Sequence, residues 1–368
     1  MRVISLAMLI ALFTSCGDSG SNTATTPLVD QQTYNWTMIT SWPRNMPAVG
    51  TAPVAFAEQV GRMSAGRLNI RVYGANELVG GLEVFDAVAN GTAEIGHSTP
   101  YYWQGKIAAA PFFSSIPFGM TGTEMDAWLA YGGGNELWRE IYEPFNIIPV
   151  RGGNSGTQMF GWFNREINSL TDLQGLKMRI PGIGGEVLSR AGGVPVTMQV
   201  SDVFTALETG ALDATEWISP YNDLAAGYHT VARYYYYPGW HEPGSTLETL
   251  INKAAFEALP DDLQEILLAA SEVMNQRIYD EQTARNNEAL QVLVNEHNVE
   301  LRRLPDDVLQ EFRRIADEII VDMAQQDPDS QRVYQSWKQF YDGVSAYHDI
   351  SEDALIRARN LTAPADSN

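Results

Sequence analysis

From Asp261 to Asn295, Leu263, Ile266, Leu267, Ala270, Val273, Met274 and Ile278 recur at steps of three and four, and Pro260 stands at the start. The spacing predicts one helix of roughly 50 Å at 1.5 Å per residue. That is longer than a single lobe of a chain this size needs, so the helix is expected to run across two. At 368 residues, two lobes are also the natural division.

The rest of the chain supplies what such a helix would join. Residues 36–42 read as a strand and 54–63 as a helix. Residues 67–73 form a strand with alternating Leu68, Ile70 and Val72, 82–89 a short helix, and 93–97 a strand. This alternation predicts an α/β lobe with a largely parallel sheet. A second alternation begins near Asn146: strands at 147–150, 176–180, 194–198 and 213–218, with helices at 185–191 and 201–210. The connecting strands are placed near Val150 and at residues 234–237. Residues 35–150 with 239–265 are assigned to one lobe. Residues 151–238 with 266–304, including the spanning helix, make the other, and 305–360 are C-terminal helices. The last of these carries Tyr334, Trp337, Phe340, Tyr341, Val344 and Tyr347 along one side. Such an aromatic face packs either back on a lobe or on a second chain.

The N-terminus reads as an export signal: Arg2, an apolar run to Phe13, then Thr14, Ser15 and Cys16. The run is too short to span a bilayer. Phe13-Thr14-Ser15-Cys16 resembles the bacterial lipobox, in which the signal, here residues 1–15, is cut before a lipid-bearing cysteine. Leu is commoner where Phe13 stands. The Gly/Ser/Thr/Asn-rich residues after Cys16 suit a flexible tether, assigned to 16–34. Cys16 is the one cysteine, so no internal disulfide can form. The net charge of -21 argues against nucleic acid and anionic lipid as partners. It also repels an anionic ligand at long range, so a carboxylate would need a local positive site.

The Gly-rich stretches fit neither a phosphate loop nor a dinucleotide fingerprint. The five histidines show no zincin spacing, and there is no Gly-x-Ser-x-Gly elbow. Abundant carboxylates leave a glycosidase-like pair open. Three segments place polar groups at strand ends, where open α/β sheets bind ligands. They run from Asn154-Ser155-Gly156-Thr157-Gln158 to Phe163, from Leu173 through Lys177-Met178-Arg179-Ile180-Pro181 to Gly182, and from Ala211 through Ala214-Thr215-Glu216-Trp217 to Asn222. Arg179, between Met178 and Ile180, must be paired if buried. Its partner is either a structural Asp or Glu, or a ligand carboxylate gripped by both guanidinium arms.

These segments are similar to those of the solute receptors of tripartite ATP-independent periplasmic (TRAP) transporters, over residues 36 to about 304. The 2-oxo-acid and lactate subgroup is the nearest likeness, through Gly161-Trp162-Phe163, Pro220-Tyr221-Asn222-Asp223 and Pro238-Gly239-Trp240-His241-Glu242-Pro243-Gly244. The resemblance implies a two-lobe periplasmic-binding-protein-like fold, no catalysis, and Arg179 on the substrate carboxylate. It implies a metal cation held by the Gln158 and Glu216 side chains and the Trp217 carbonyl, with Glu242 as a further ligand; the alternative is that Glu242 caps or braces the hinge and Glu216 pairs with Arg179. Asn154, Tyr101 and Tyr102 are candidates for polar contacts with the acid; Trp162, Phe163 and Trp217 are candidates for bounding its side chain. Charge counting agrees with an ion. Arg179, Glu216 and a monocarboxylate sum to one negative charge, which sodium cancels; an ionised Glu242 would call for calcium. The resemblance further implies a periplasmic location, integral membrane subunits as partners, and a homodimer exchanging C-terminal helices. The expected ligand is a pyruvate-like 2-oxo acid. The alternatives are the same receptor for lactate, a sugar acid or an aromatic acid, or a lipid-anchored enzyme using Glu216 or Glu242 as general base.

Overall fold

The computed structural model describes residues 32–198 and 200–361; Cys16 and the export signal lie outside the described residues. In chain order the strands are β1 (Tyr34–Thr40), β2 (Leu68–Tyr73), β3 (Ile95–Ser98), β4 (Ile147–Asn154), β5 (Gly161–Phe163), β6 (Lys177–Arg179), β7 (Val194–Val196), β8 (Ala214–Thr215), β9 (Tyr234–Tyr237), β10 (Thr246–Asn252) and β11 (Glu300–Arg303). The helices are α1 (Ala52–Met63), α2 (Val84–Ala89), α3 (Gly122–Tyr131), α4 (Gly134–Tyr142), α5 (Gly182–Arg190), α6 (Val200–Glu208), α7 (Pro220–Ala226), α8 (Lys253–Glu257), α9 (Asp261–Asn295), α10 (Asp306–Ala324), α11 (Pro328–Ile350) and α12 (Glu352–Arg359).

The strands form two sheets, one per lobe, in the orders β2-β1-β3-β10-β4 and β11-β9-β5-β8-β6-β7. The first lobe forms in parallel from β1 to β3 as its alternation predicts, but β10 runs antiparallel between β3 and β4, so the sheet is mixed and not largely parallel. On β2, Leu68 and Val72 point into the core while Asn69 and Arg71 are exposed, and β1 pairs β2 in parallel from Tyr34 opposite Leu68. Pro53 opens α1, where a missing N–H costs nothing, and Phe56, Ala57 and Val60 are its buried stripe. The grouping of one strand also needs correction. The strand at 147–150, grouped with the second alternation, extends to Asn154 and pairs with β10 in the first sheet.

Among the described residues the chain passes between the sheets three times. Residues 155–160 join β4 to β5, residues 238–245 join β9 to β10, and α9 leads toward β11. The first two crossings therefore lie beyond Val150 and beyond residues 234–237, which belong to regular strands. They run against each other: Ser155 N donates to Ser245 O at 2.9 Å, Gln158 N to Glu242 O at 3.1 Å, and Phe160 N to Tyr236 O at 2.9 Å. A Cβ on Gly239 would lie 2.1 Å from the Gln158 carbonyl oxygen, so this approach requires glycine.

The expected spanning helix is present as α9, 35 residues long. It packs on β4 and α1 in the first lobe and on α7 in the second. Its buried face changes along its length, from Leu263, Leu267, Met274 and Ile278 to Gln282, Ala289 and Leu293. The aromatic face of α11 packs back on its own chain. Trp337 meets Phe112 at 6.1 Å and stacks on Tyr341 at 5.0 Å, and the Tyr341 hydroxyl donates to Phe118 O at 3.1 Å. Further on, Tyr347, Ile350, Leu355 and Ile356 are exposed.

Candidate ligand and cation site

Parallel pairing of β6 with β8 sets Arg179 opposite Thr215, so Arg179 and Glu216 emerge side by side at two strand ends. Both are buried, at 4% and 1% exposure, and they form an ion pair through Arg179 Nη1 and Glu216 Oε1. The same Nη1 reaches the Glu216 carbonyl at 3.3 Å, and the guanidinium lies 5.4 Å from the Trp217 ring centre. Arg179 Nε has no hydrogen-bond partner. Burial opposes the charge of Arg179, but Glu216, Tyr102 and Tyr101 hold its ionisation above the ordinary value. Burial likewise pushes the Tyr102 hydroxyl up to about 12, against the charge and hydrogen bond of Arg179.

The two crossings deliver a second group of polar atoms. Gln158 Nε2 donates to Glu242 Oε2 at 2.6 Å and to Ser155 Oγ at 3.2 Å, leaving Gln158 Oε1 buried without a partner. Burial, and then Glu216, push the Glu242 carboxyl up to about 7. His241 Nε2 lies 3.5 Å from Glu216 Oε2, which accepts no hydrogen bond, and neither ring nitrogen of His241 has a hydrogen-bond partner. Glu216, His241 and Glu242 each offer a ligand atom within 4.8 Å of the others. Beside His241, Glu242 and Tyr101 is a pocket of about 10 Å³, roughly what one water or small ion needs.

Next to this cluster an interlobe cavity of about 190 Å³ opens at the carboxyl ends of β1, β3 and β6. Arg179, Tyr101 and Tyr102 line it together with Ser41, Leu82 and Met198. The structure thus brings together Arg179, Glu216, Gln158, Glu242, Tyr101 and Tyr102, with Trp217 against Arg179. Three other candidates sit elsewhere. Trp162 and Phe163 are fully buried and do not line this cavity, because β5 is a central strand covered on both faces. Trp162 stacks on Tyr235 at 4.1 Å, and Phe163 packs on Phe160 and Tyr236. Asn154 braces the first crossing: its Oδ1 accepts from Gly156 N at 2.8 Å and its Nδ2 donates to Thr246 Oγ1 at 3.3 Å. His241 is the residue that sequence reasoning missed. Its one signal was adjacency to Glu242, since tests for metal-binding histidines look for pairs.

The chain matches the family model of bacterial extracellular solute-binding protein, family 7 (DctP), over residues 38–327. It is 38% identical over 353 residues to the monocarboxylate 2-oxoacid-binding periplasmic protein of Nostoc sp. (strain PCC 7120), covering 96% of this chain and 95% of that one. Among solved structures it resembles a TRAP transporter solute-binding protein from Bordetella bronchiseptica RB50, a mixed-occupancy dimer with copurified calcium and picolinate. Identity is 36% and the TM-score 0.87, over 89% of this chain and 97% of that one. It also resembles a TRAP periplasmic solute-binding protein from Pseudoalteromonas atlantica T6c with bound sodium and pyruvate, at 39% identity and a TM-score of 0.86, over 90% and 100% of the two chains. A family match across most of the chain, joined to a shared two-lobe fold with a polar cluster at its strand ends, establishes that the chain belongs to bacterial extracellular solute-binding protein family 7, the solute receptors of TRAP transporters, which bind rather than transform their ligands.

Proposed function

We propose that this receptor captures a small 2-oxo monocarboxylate together with a sodium or calcium ion and delivers it to the integral membrane subunits of a TRAP transporter. The observation that carries the reading is the convergence of one buried arginine with a set of oxygen donors that lack partners. Arg179 is the group for the carboxylate, by charge and by planar shape. Gln158 Oε1 and Glu216 Oε2 are buried with no hydrogen bond, a costly state that a cation relieves. Oxygen donors suit sodium or calcium. Glu242 completes the oxygen donor set with His241 beside it, 3.5 Å from Glu216 Oε2, and the Trp217 carbonyl is a further ligand on the family pattern. The ion would neutralise the carboxylates and polarise the oxygens of the acid. The relatives that bind pyruvate with sodium and picolinate with calcium support the same pairing of acid and ion.

Calorimetry on acid-free protein tests this. Pyruvate and longer 2-oxo acids should bind more tightly than lactate, sugar acids or aromatic acids. Binding should be lost on chelation if the ion is calcium, or on exchange of sodium for a bulky organic cation if it is sodium. Acid affinity untouched by both treatments would reduce Glu216 and Arg179 to a structural pair. The finer parts of the proposal are a lipid anchor on Cys16 and a homodimer that exchanges C-terminal helices. The exposed apolar residues of α11 and α12 support an exchanged or shared surface.

A further inference from the structure

A side-chain hydrogen bond between α7 and the turn after β1 crosses from one lobe to the other away from the cavity lining. Asn222 on α7 donates through Nδ2 to the Pro47 carbonyl at 2.9 Å. Pro47 lies in the turn between β1 and α1, in the first lobe. Asn222 Oδ1 accepts from Gln282 Nε2, on the spanning helix, at 2.6 Å. Asn222 and Gln282 are both fully buried.

Each end of this bond is tied to the ligand site. The Pro47 turn is held by Val49 N to Pro47 O at 2.7 Å and Gly50 N to Met46 O at 3.0 Å. A Cβ on Gly50 would stand 2.1 Å from the Pro43 carbonyl, which keeps the turn tight. Ser41 and Pro43, at the start of the same loop, wall the cavity. On the other side, Asp223 follows Asn222. Its Oδ1 accepts from Ile218 N at 3.2 Å, and its Oδ2 accepts from Trp162 Nε1 at 2.9 Å and Tyr235 OH at 2.7 Å. Helix α7 is thereby keyed to the Glu216–Trp217–Ile218 segment. Gln282 Oε1 has no partner although it is buried. A half-satisfied amide costs stability, and an apolar pair of the same shape would fold at least as well. Packing alone therefore does not account for amides at these two positions.

We propose that Asn222, held in place by Gln282, is the latch of the closed receptor and sets how long the bound acid is retained. This rests on the receptor reading above and adds to it the residue that governs closure. Opening exposes the Asn222 amide and the Pro47 carbonyl to water, so the latch contributes only the net worth of a neutral hydrogen bond, about two- to tenfold in the ratio of closed to open forms. An acid that leaves from the open form then leaves faster by the same factor, while its association rate changes little.

Stopped-flow binding of pyruvate, in saturating sodium or calcium, gives the two rates. A fluorophore on each lobe reports the closed fraction of acid-free protein. Asn222→Ala should raise the dissociation rate about two- to tenfold, leave association within about twofold, and lower the closed fraction. Gln282→Ala should do the same to a smaller degree. The double variant Asn222→Leu with Gln282→Leu matches the lost volume, keeps the thermal midpoint, and should still dissociate faster. A merely structural role would lower the midpoint and leave dissociation unchanged. Unchanged dissociation and closed fraction in the folded double variant would overturn the latch. A wild type that takes up no acid would overturn the receptor reading instead, and the fluorescence comparison would then decide the latch alone.

Discussion

Arg179 is asked to do two things, and they can be separated by substitution. If Arg179 holds the ligand carboxylate as proposed, removing it deletes a charge-assisted contact, so Arg179→Ala should weaken acid binding by at least about a hundredfold, the loss of ~3 kcal/mol. It also strands Glu216 as a buried charge, at a cost of about 3–5 kcal/mol, so the thermal midpoint should fall. Arg179→Lys restores the charge without the fork, and should recover stability more than affinity. Calorimetry and thermal denaturation of both variants check this; a lysine variant that recovers affinity fully would contradict it. A second residue carries a pH signature away from the site. Glu248 on β10 is fully buried, and burial pushes its carboxyl from 4.5 up to about 8, although Trp103 donates to it. The folded state therefore keeps a proton that the unfolded chain releases. Stability from this group is present below about 4.5 and is lost as pH rises through about 8. Glu248→Gln mimics the protonated form, so its stability relative to wild type should improve between pH 5 and 8.5, read by urea denaturation at each pH. A constant difference would mean that Glu248 titrates normally.

At the scale of elements, the back-to-back crossings make the strictest demand on sequence. Gly239→Ala should force residues 158 and 239 apart, destabilise the protein by roughly 2 kcal/mol or more, and weaken cation binding through the displaced Gln158 and Glu242. Thermal denaturation and ion titration check it; full ion affinity would mean the crossings can slide without moving the donors. The same elements show what could be read in advance. The first lobe was legible because β1 and β2 carry apolar alternation between helices with clear stripes. Strand β10 was not, because all seven of its residues, Thr246 to Asn252, are buried. Its Thr246, Glu248 and Thr249 are interior although polar, which erases the period-two signal. β5, of three residues, is too short to show any period. Arg179 stood out as a charge inside an apolar strand end. His241 did not, because its partner Glu216 is far away in sequence and is brought near only by the crossing. Trp162 and Phe163 follow the Gln158 crossing closely in sequence, but β5 buries both away from the cavity.

For the whole molecule, an acidic receptor must find an anion and remain near its transporter. The net charge of -21 repels the acid at long range, but salt screens such fields beyond about 8 Å, and Arg179 acts inside that distance. Retention at the membrane is the role proposed for Cys16. Cys16→Ser should release the exported protein from the membrane fraction without changing its acid affinity, as fractionation and calorimetry would show. Wild-type protein already soluble after export would end the anchor proposal. The position of the crossings also has a mechanical consequence. Gln158 and Glu242 sit on two of the segments that join the lobes, so a turn of one lobe on the other about those segments would have them at its fulcrum. A rotation there displaces nearby atoms least and remote atoms most. The Gln158–Glu242 contact should survive opening almost unaltered, while the gap from Asn222 to Pro47 lengthens with its lever arm. Millisecond line broadening in spectra of the acid-free receptor should accordingly grow with distance from residues 155–160 and 238–245, and be weakest where the chemistry of binding is most concentrated.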